Sequence, residues 1–376
     1  MSEALRYPSF YLALPIVLAL SVMLVSFEFS LGTLGGVLFF ATAAVAIVTL
    51  DVILAIRLPP LQSFQDMDFS GTRQGAIAAA LCCLVAAFCV IDLTFFPIPL
   101  IVDPSSYATF EGGRNHVRHI SNLSWILPPI ALLCFKSKAV RIALIAIGLI
   151  FPILVIDRNR LFAALFSLTL TLALQKRNSP LFSWKVILPL LFGGLVAFSL
   201  LGAVRSGTLN GLTLPLSSFF RSSPEGVKWL LLYVSAGVYN FSSILAKGYH
   251  NASFLISQFV PFAGSVATLG TDIPLDAPTI NVGTEFLPFL MAAGWGLALL
   301  SVLALYGMLL WSMLLLCGEV SLWRFLIFLR FAYVSIMSPF APQAFTWTNF
   351  GFVVVCLMIP IAGHFLPAMH ERLKES

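Results

Sequence analysis

The chain has 376 residues, of which 59% are hydrophobic and only 10% charged, whereas soluble domains carry about 25% charged residues. This composition excludes a soluble domain, and the recurrence of apolar runs along the whole chain indicates a polytopic helical membrane protein. The formal net charge of +5 comes without a dense basic run, so we expect no nucleic-acid partner.

Ten apolar runs along the chain predict membrane crossings, each of which needs about 20 apolar residues in a helix. We therefore predict an all-α fold, a polytopic integral membrane protein with about ten transmembrane helices. In chain order the predicted spans cover residues 8–25, 31–56, 75–96, 122–135, a run ending at 156, 161–174, a run ending at 204, a run within 286–316, 325–337 and a run ending near 366.

Residues 205–285 form the longest segment that does not read as membrane crossings. It contains two semi-apolar pieces, KWLLLYVSAGVYNFSSILAKG and ASFLISQFVPFAGSVATLG, which Gly, Pro and Ser interrupt. We predict one large, partly membrane-embedded periplasmic loop here. It separates an N-terminal membrane bundle of about seven spans (1–204) from about three C-terminal membrane helices (286–376), within a single integrated membrane domain.

The distribution of lysine and arginine over the short loops predicts the orientation, because such residues concentrate on the cytoplasmic side. With ten crossings both termini are cytoplasmic. A second group of cations breaks this rule on the periplasmic side: Arg114, Arg118, Arg158, Arg160, Arg205, Arg221, Lys228 and Lys247. Arginine at headgroup depth suits bidentate capture of phosphate, which we favour for the group. Snorkelling anchorage is the alternative for each single residue.

Signatures of soluble enzymes do not occur in the sequence. It has no phosphate-binding glycine loop with lysine, no HExxH pair and no GxSxG elbow. His116 and His119 have no nearby cysteine or paired carboxylate to complete a metal site, so we expect neither a metal nor another cofactor. Asp92 and Arg330 lie within predicted spans, where charges are expensive and usually functional, although Arg330 can also snorkel to the cytoplasmic side.

The periplasmic cations and carboxylates suit transfer of a sugar from a lipid pyrophosphate. Cations stabilise the leaving pyrophosphate, and a base deprotonates the attacking hydroxyl. The candidates for the first role are Arg160, Arg205 and Arg221, and those for the second are His250, Glu285, Asp272 and Asp276.

The run NVGTEFLPFLMAAGWG resembles the start of a late span in the Wzy-type O-antigen polymerases, which polymerise oligosaccharide repeat units. The matching positions are Asn281, Val282, Thr284, Pro288 and Gly294. The chain departs from the family pattern at Leu287, where a basic residue is frequent, and at Ala292, where an acidic residue is frequent.

Two further stretches are similar to the same family. In DRNRLFAAL, Arg160 corresponds to an arginine that opens a span after a short external corner, and Arg205 corresponds to one that opens the long periplasmic loop. YVSAGVYNF, with Tyr233, Gly237 and Asn240, is similar to the aromatic–glycine segment of that loop. The resemblance covers residues 157–296 and extends to the N-terminal third only through hydropathy.

The resemblance implies a fold like that of the class C glycosyltransferases, which use lipid-linked phosphosugars. Its implied reaction transfers a growing glycan from undecaprenyl pyrophosphate to another undecaprenyl-pyrophosphate-linked repeat unit, at the periplasmic face of the bacterial inner membrane. The product would be O-antigen or a similar surface polysaccharide. The implied partners are the lipid-linked oligosaccharide, membrane lipids, a chain-length regulator and a flippase.

Residues and resemblance together predict a set of site residues. His250 and Glu285 are the predicted catalytic groups. The residues predicted to bind pyrophosphate or substrate are Arg158, Arg160, Arg205, Arg221, Tyr233, Asn240, Asn281 and Thr284.

Two other functions fit parts of the pattern. An O-antigen ligase would use the same donor but deliver the glycan to the lipid A core. A transporter or flippase would show two related halves with broken helices meeting at mid-membrane, and residues 205–285 have no counterpart in the first half.

Overall fold

The computed structural model describes residues 3–102, 114–175, 209, 212–261, 268–318 and 320–365. These residues form helices and connecting loops, and no strand occurs among them. The α-helices are α1 Pro8–Ser26, α2 Leu31–Leu54, α3 Arg73–Phe95, α4 Pro99–Val102, α5 Arg114–Ser121, α6 Leu127–Cys134, α7 Lys138–Leu154, α8 Arg158–Gln175, α9 Ser218–Ser222, α10 Glu225–Lys247, α11 Ala252–Phe259, α12 Leu287–Leu314, α13 Leu322–Met337 and α14 Trp347–Phe365.

Several helices of the described chain are long and apolar enough to cross a membrane, which supports a helical, membrane-embedded protein. These candidate spans are Pro8–Ser26, Leu31–Leu54, Arg73–Val102, Glu225–Lys247 and Leu287–Leu314. Helices over other predicted spans are shorter, with 8 residues in α6, 17 in α7 and 16 in α13. The predicted span that ends at residue 204 lies outside the described residues.

The chain divides into two compact units. The first comprises residues 1–59, 207–318 and 330–354, and its frame is the α1–α2 hairpin. Ser30 caps α2 through a capping box with Thr33. Near the other end of α2, the Asp51 carboxylate accepts hydrogen bonds from the Ser9 backbone N–H at 2.7 Å and the Tyr306 hydroxyl at 2.8 Å. Asp51 thereby ties the start of α1 and the middle of α12 to α2.

Helix α10 corrects one expectation from the sequence. Its 23 residues lie inside the segment predicted as a loop, yet the helix is a candidate membrane span. The expectation that KWLLLYVSAGVYNFSSILAKG is too short or too interrupted for a span-length helix was wrong, because the helix is continuous and Ser235, Gly237 and Ser242 are buried within it. Gly36 of α2 makes room for Ser242, since a Cβ at Gly36 would overlap that side chain.

Helix α12 is broken near its start. Ala293 (φ −150°, ψ 24°) and Gly294 (φ 78°, ψ −163°) have non-helical dihedral angles inside the run Leu287–Leu314. Glycine suits the second position because a positive φ strains residues that carry a Cβ. A short initial segment before the break is therefore followed by a longer apolar helix.

The second unit comprises residues 60–206, 319–329 and 355–376. In its described part, the predicted intramembrane charge Asp92 is buried on α3 beside Arg114 of α5. Asp92 Oδ1 lies 2.8 Å from Nε and 2.7 Å from Nη2 of Arg114, and Asp92 Oδ2 accepts a 3.3 Å hydrogen bond from the Ser121 hydroxyl. The buried ion pair between Asp92 and Arg114 links the end of α3 to α5, and each residue neutralises the charge of the other.

The six cysteines are free thiols: Cys82, Cys83, Cys89, Cys134, Cys317 and Cys356. Buried cysteines act as small hydrophobes, so we expect a variant with all six replaced by alanine or serine to fold and to keep its activity. Protein yield and thermal stability in detergent check the first part, and synthesis of the polymer predicted from the sequence checks the second. Loss of polymer from a variant of normal yield and stability would instead reveal a thiol function.

Candidate functional site

A partly exposed carboxylate organises the end of α10. Tyr239, Ser243 and Lys247 are spaced four residues apart and so lie on one face of this helix. Asp276 Oδ2 accepts hydrogen bonds from the Tyr239 hydroxyl at 2.8 Å and the Ser243 hydroxyl at 2.7 Å. Its Oδ1 lies 2.7 Å from Lys247 Nζ, which also donates to the Pro274 carbonyl at 2.6 Å. The cluster therefore holds one carboxylate and one ammonium in fixed positions.

The charge state of Asp276 follows from these contacts. Partial burial by itself raises the pKa of this carboxyl, but the hydrogen bonds from Lys247, Ser243 and Tyr239 and the charge of Lys247 outweigh it and lower the pKa below the usual range of aspartate. Asp276 is consequently a carboxylate at neutral pH. The side chains of Lys247 and Asp276 are 36% and 32% exposed, so a ligand can reach both.

Asn240 holds the chain that leads into α12. Its side-chain N–H₂ donates to the carbonyls of Ile280 at 2.9 Å and Val282 at 2.8 Å. One turn earlier, Gly237 lies against the Pro339 carbonyl, and a Cβ there would overlap it. Asn240 was predicted to bind substrate, but its amide hydrogens are used within the protein and position residues 280–282.

Glu285 is enclosed by the loop between α13 and α14. Its Oε2 accepts hydrogen bonds from the backbone N–H groups of Gln343 and Ala344, the latter at 2.8 Å, and its Oε1 accepts one from Phe345 at 3.1 Å. Consecutive N–H groups that converge in this way form an anion-binding nest. Burial raises the pKa of Glu285, while these hydrogen bonds act in the opposite direction.

This geometry argues against the predicted role of Glu285 as a base. The residue is 1% exposed, and both carboxylate oxygens are already engaged. Its contacts instead join the start of α12 to the loop before α14. Thr284 beside it is fully buried, so neither residue faces solvent as a substrate contact would.

Arg330 supports the same loop from α13. Its Nε donates to Asn349 Oδ1 at 2.8 Å, and the Asn349 amide donates to the Ala344 carbonyl at 2.8 Å. Arg330 is thus hydrogen-bonded inside the first unit. The sequence left open whether Arg330 is a functional charge or snorkels to the membrane surface, and these contacts do not fit snorkelling.

The remaining predicted residues of the first unit lie nearer the surface. His250 and Asn281 are exposed, and Tyr233 is half-buried with its ring stacked on Phe340. Arg221 is 64% exposed and lies 3.6 Å from Glu28, at the corner between α1 and α2. Of the predicted bases, His250, Asp272 and Asp276 are therefore exposed, and Glu285 is not.

The other predicted arginines are distributed differently. Arg158 and Arg160 belong to the second unit, and Arg205 lies outside the described residues. Arg160 is buried, with an ion pair to Asp157 at 3.0 Å, a hydrogen bond to the Asn122 side chain and its guanidinium over the Phe151 ring. These contacts give Arg160 a structural role, and its role in binding phosphate stays a prediction.

Sequence reasoning missed the joint role of Tyr239, Ser243 and Lys247. Their spacing of four residues on an apolar helix is a visible signal for one polar face. The shared face was not recognised from the sequence because this run was not predicted to be a helix.

Arg221 tests phosphate binding by arginine better than Arg160 does, because Arg221 is exposed and Arg160 is buried. Lysine keeps the charge but loses the planar fork that grips two phosphate oxygens. If Arg221 binds phosphate in the polymerase predicted from the sequence, Arg221→Lys should reduce polymer formation nearly as much as Arg221→Ala. Thermal stability should not change, because an exposed ion pair contributes little, about 0–1 kcal/mol. The length and amount of polymer on gels measure this effect.

Arg57 provides the matched control for this pair of variants. It is an exposed arginine of the same unit that follows the other end of α2. Arg57→Lys and Arg57→Ala should both leave the polymer unchanged. Full polymer from Arg221→Lys at normal protein level would show that a charge alone suffices and that the fork has no role.

Comparison with known proteins adds no relative. No protein-family model matches the chain, and neither the curated proteins nor the solved structures include a significant match.

Proposed function

We propose that the chain is a membrane glycosyltransferase that polymerises undecaprenyl-pyrophosphate-linked oligosaccharide repeat units. The product is O-antigen or a similar surface polysaccharide, made at the periplasmic face of the inner membrane by transfer of the glycan from its lipid pyrophosphate. The proposal combines the resemblance of residues 157–296 to Wzy-type polymerases with the chemistry of the site.

The observation that carries the proposal is the polar cluster at the end of α10. A donor anchored by a polyprenyl chain stays in the bilayer, so its transferase needs charged groups fixed on membrane elements. Asp276 and Lys247 are such groups, held on a candidate membrane span and open to solvent. Exposed His250 follows Lys247 by three residues.

These residues divide the reaction between them. The ammonium of Lys247, fixed by Asp276 and the Pro274 carbonyl, stabilises the leaving pyrophosphate. His250 removes the proton of the attacking sugar hydroxyl as that hydroxyl forms the new glycosidic bond. Breakage of the old bond releases undecaprenyl pyrophosphate. Glu285 and Asn240 position elements of the first unit, which carries these groups.

Deletion of the gene tests the proposal. A strain without a polymerase attaches a single repeat unit to the lipid A core, so its polysaccharide ladder collapses to one step. A strain without a ligase attaches none, and a normal ladder would refute both functions. The wild-type gene on a plasmid should restore the ladder, which controls for effects on neighbouring genes.

A further inference from the structure

The break in α12 creates polar backbone inside a candidate membrane span. A hydrogen bond from N–H of residue i to C=O of residue i−4 requires the residues between them to be helical. The non-helical angles of Ala293 and Gly294 therefore end one helical segment and start another. Each helix end leaves backbone groups without a partner inside the helix, so donors and acceptors become available at this point.

One of these acceptors is already used by the protein. The Met291 carbonyl accepts a 2.8 Å hydrogen bond from the Asn251 backbone N–H. Asn251 directly follows His250, so the break lies beside the proposed base. This contact places the α12 break and the exposed histidine in one neighbourhood of the first unit.

The surroundings of the break are open. A Cβ added to Gly294 or Gly296 would meet no atom within 4 Å. Trp295 between them is 38% exposed and packs edge-on against Phe39, with ring centroids 5.6 Å apart. The Trp295 ring thus lies next to main-chain atoms of two glycines that no side chain covers.

Non-helical backbone within a membrane-spanning segment does not occur against lipid. It is found where it is buried in protein or lines a water-filled cavity. Gly296 is exposed and Gly294 is half-buried, so the described protein does not enclose the break completely. The break meets this requirement if a polar phase reaches it, and a ligand there would satisfy backbone donors and acceptors beside an aromatic ring.

We propose that the α12 break is a glycan subsite, in which Trp295 packs against one face of a sugar ring and the backbone around Gly294 binds its hydroxyl groups. A sugar ring has an apolar C–H face that suits an aromatic surface, and its hydroxyls both donate and accept. The inference rests on the proposed function and deepens it, because a glycan bound here lies beside His250. The subsite receives the sugar chain, not the lipid pyrophosphate.

The first test measures whether water reaches the break. Gly296→Cys is made in the cysteine-free protein, reconstituted in lipid nanodiscs so that both membrane faces are accessible, and treated with a charged thiosulfonate. Gly307→Cys is the matched control, since Gly307 lies on the same helix and also faces open space. We expect Gly296→Cys to react at least about tenfold faster, because the reactive thiolate forms where water reaches it. Equal, slow labelling at both positions would overturn the proposal.

The second test adds the glycan. The probe is the oligosaccharide repeat unit released from its undecaprenyl pyrophosphate carrier by mild acid, which cleaves the glycosyl phosphate bond. It should slow the labelling of Gly296→Cys, and Trp295→Ala should raise the concentration needed by about tenfold, equivalent to about 1.4 kcal/mol. Trp311→Ala is the control, because Trp311 is equally exposed on α12 at 38% and also packs edge-on against a phenylalanine.

The outcomes separate this inference from the proposed function. The subsite would be refuted if the glycan does not slow the labelling of Gly296→Cys. It would also be refuted if Trp295→Ala and Trp311→Ala weaken the effect of the glycan equally. Either result would count against the subsite even if the deletion strain loses its ladder. A normal ladder in the deletion strain would refute the polymerase itself, whatever the labelling shows. Circular dichroism of each variant confirms that the compared proteins are folded.

Discussion

Glu285→Ala should destabilise the first unit by about 3 kcal/mol or more, because a buried backbone donor left without an acceptor costs about 1–3 kcal/mol. Three such donors, the N–H groups of Gln343, Ala344 and Phe345, converge on this carboxylate. Thermal unfolding of the purified protein in detergent and its yield in membranes measure the loss. Glu285→Gln should lower the stability less than Glu285→Ala. The glutamine oxygen can still accept hydrogen bonds, but its N–H₂ group cannot accept from the backbone N–H groups that it faces.

Glu28 is the matched control for Glu285. It lies in the same unit, but its side chain is 60% exposed and 3.6 Å from Arg221, so Glu28→Ala should change stability by less than about 1 kcal/mol. Glu285→Ala with wild-type stability but no polymer would contradict the structural role. That result would return Glu285 to the chemical role predicted from the sequence.

His250→Gln should lower the rate of polymer formation by about 10²–10⁴-fold, the usual contribution of a general base. Stability should not change, because His250 is exposed and glutamine is also polar. The rate is measured with purified lipid-linked repeat units in vesicles, which separates it from effects on transport or ligation. Asp276→Asn tests the neighbouring cluster in the same assay and should mainly weaken donor binding, through displacement of Lys247.

His116 serves as the control because it is an exposed histidine of the second unit. His116→Gln should leave the rate unchanged. A wild-type rate for His250→Gln would exclude the imidazole as base and leave the exposed carboxylates of Asp272 and Asp276 as candidates for that role. A drop in rate accompanied by lower stability would instead indicate that His250 supports the fold.

Composition and apolar patterning predicted the helical membrane class, and the positions of α1, α2 and α3 agree closely with the predicted spans. The pattern failed at α10, where Ser235, Gly237 and Ser242 resembled interruptions. Small and polar residues break a helix that stands alone, but in a packed bundle they allow close approach and hydrogen bonding between helices. Hydropathy cannot separate these two cases, because both reduce the local average equally.

The sequence by itself determined that the chain is a helical membrane protein, since partition into a bilayer depends on the summed hydropathy of a continuous segment. The tertiary structure alone decided which polar residues are available for chemistry. Glu285 and Ala344 are 59 positions apart, and Asp51 and Tyr306 are 255 apart, so no local pattern reveals their pairing. Whether a carboxylate is enclosed, as at Glu285, or open, as at Asp276, depends on which distant donors the packing brings to it.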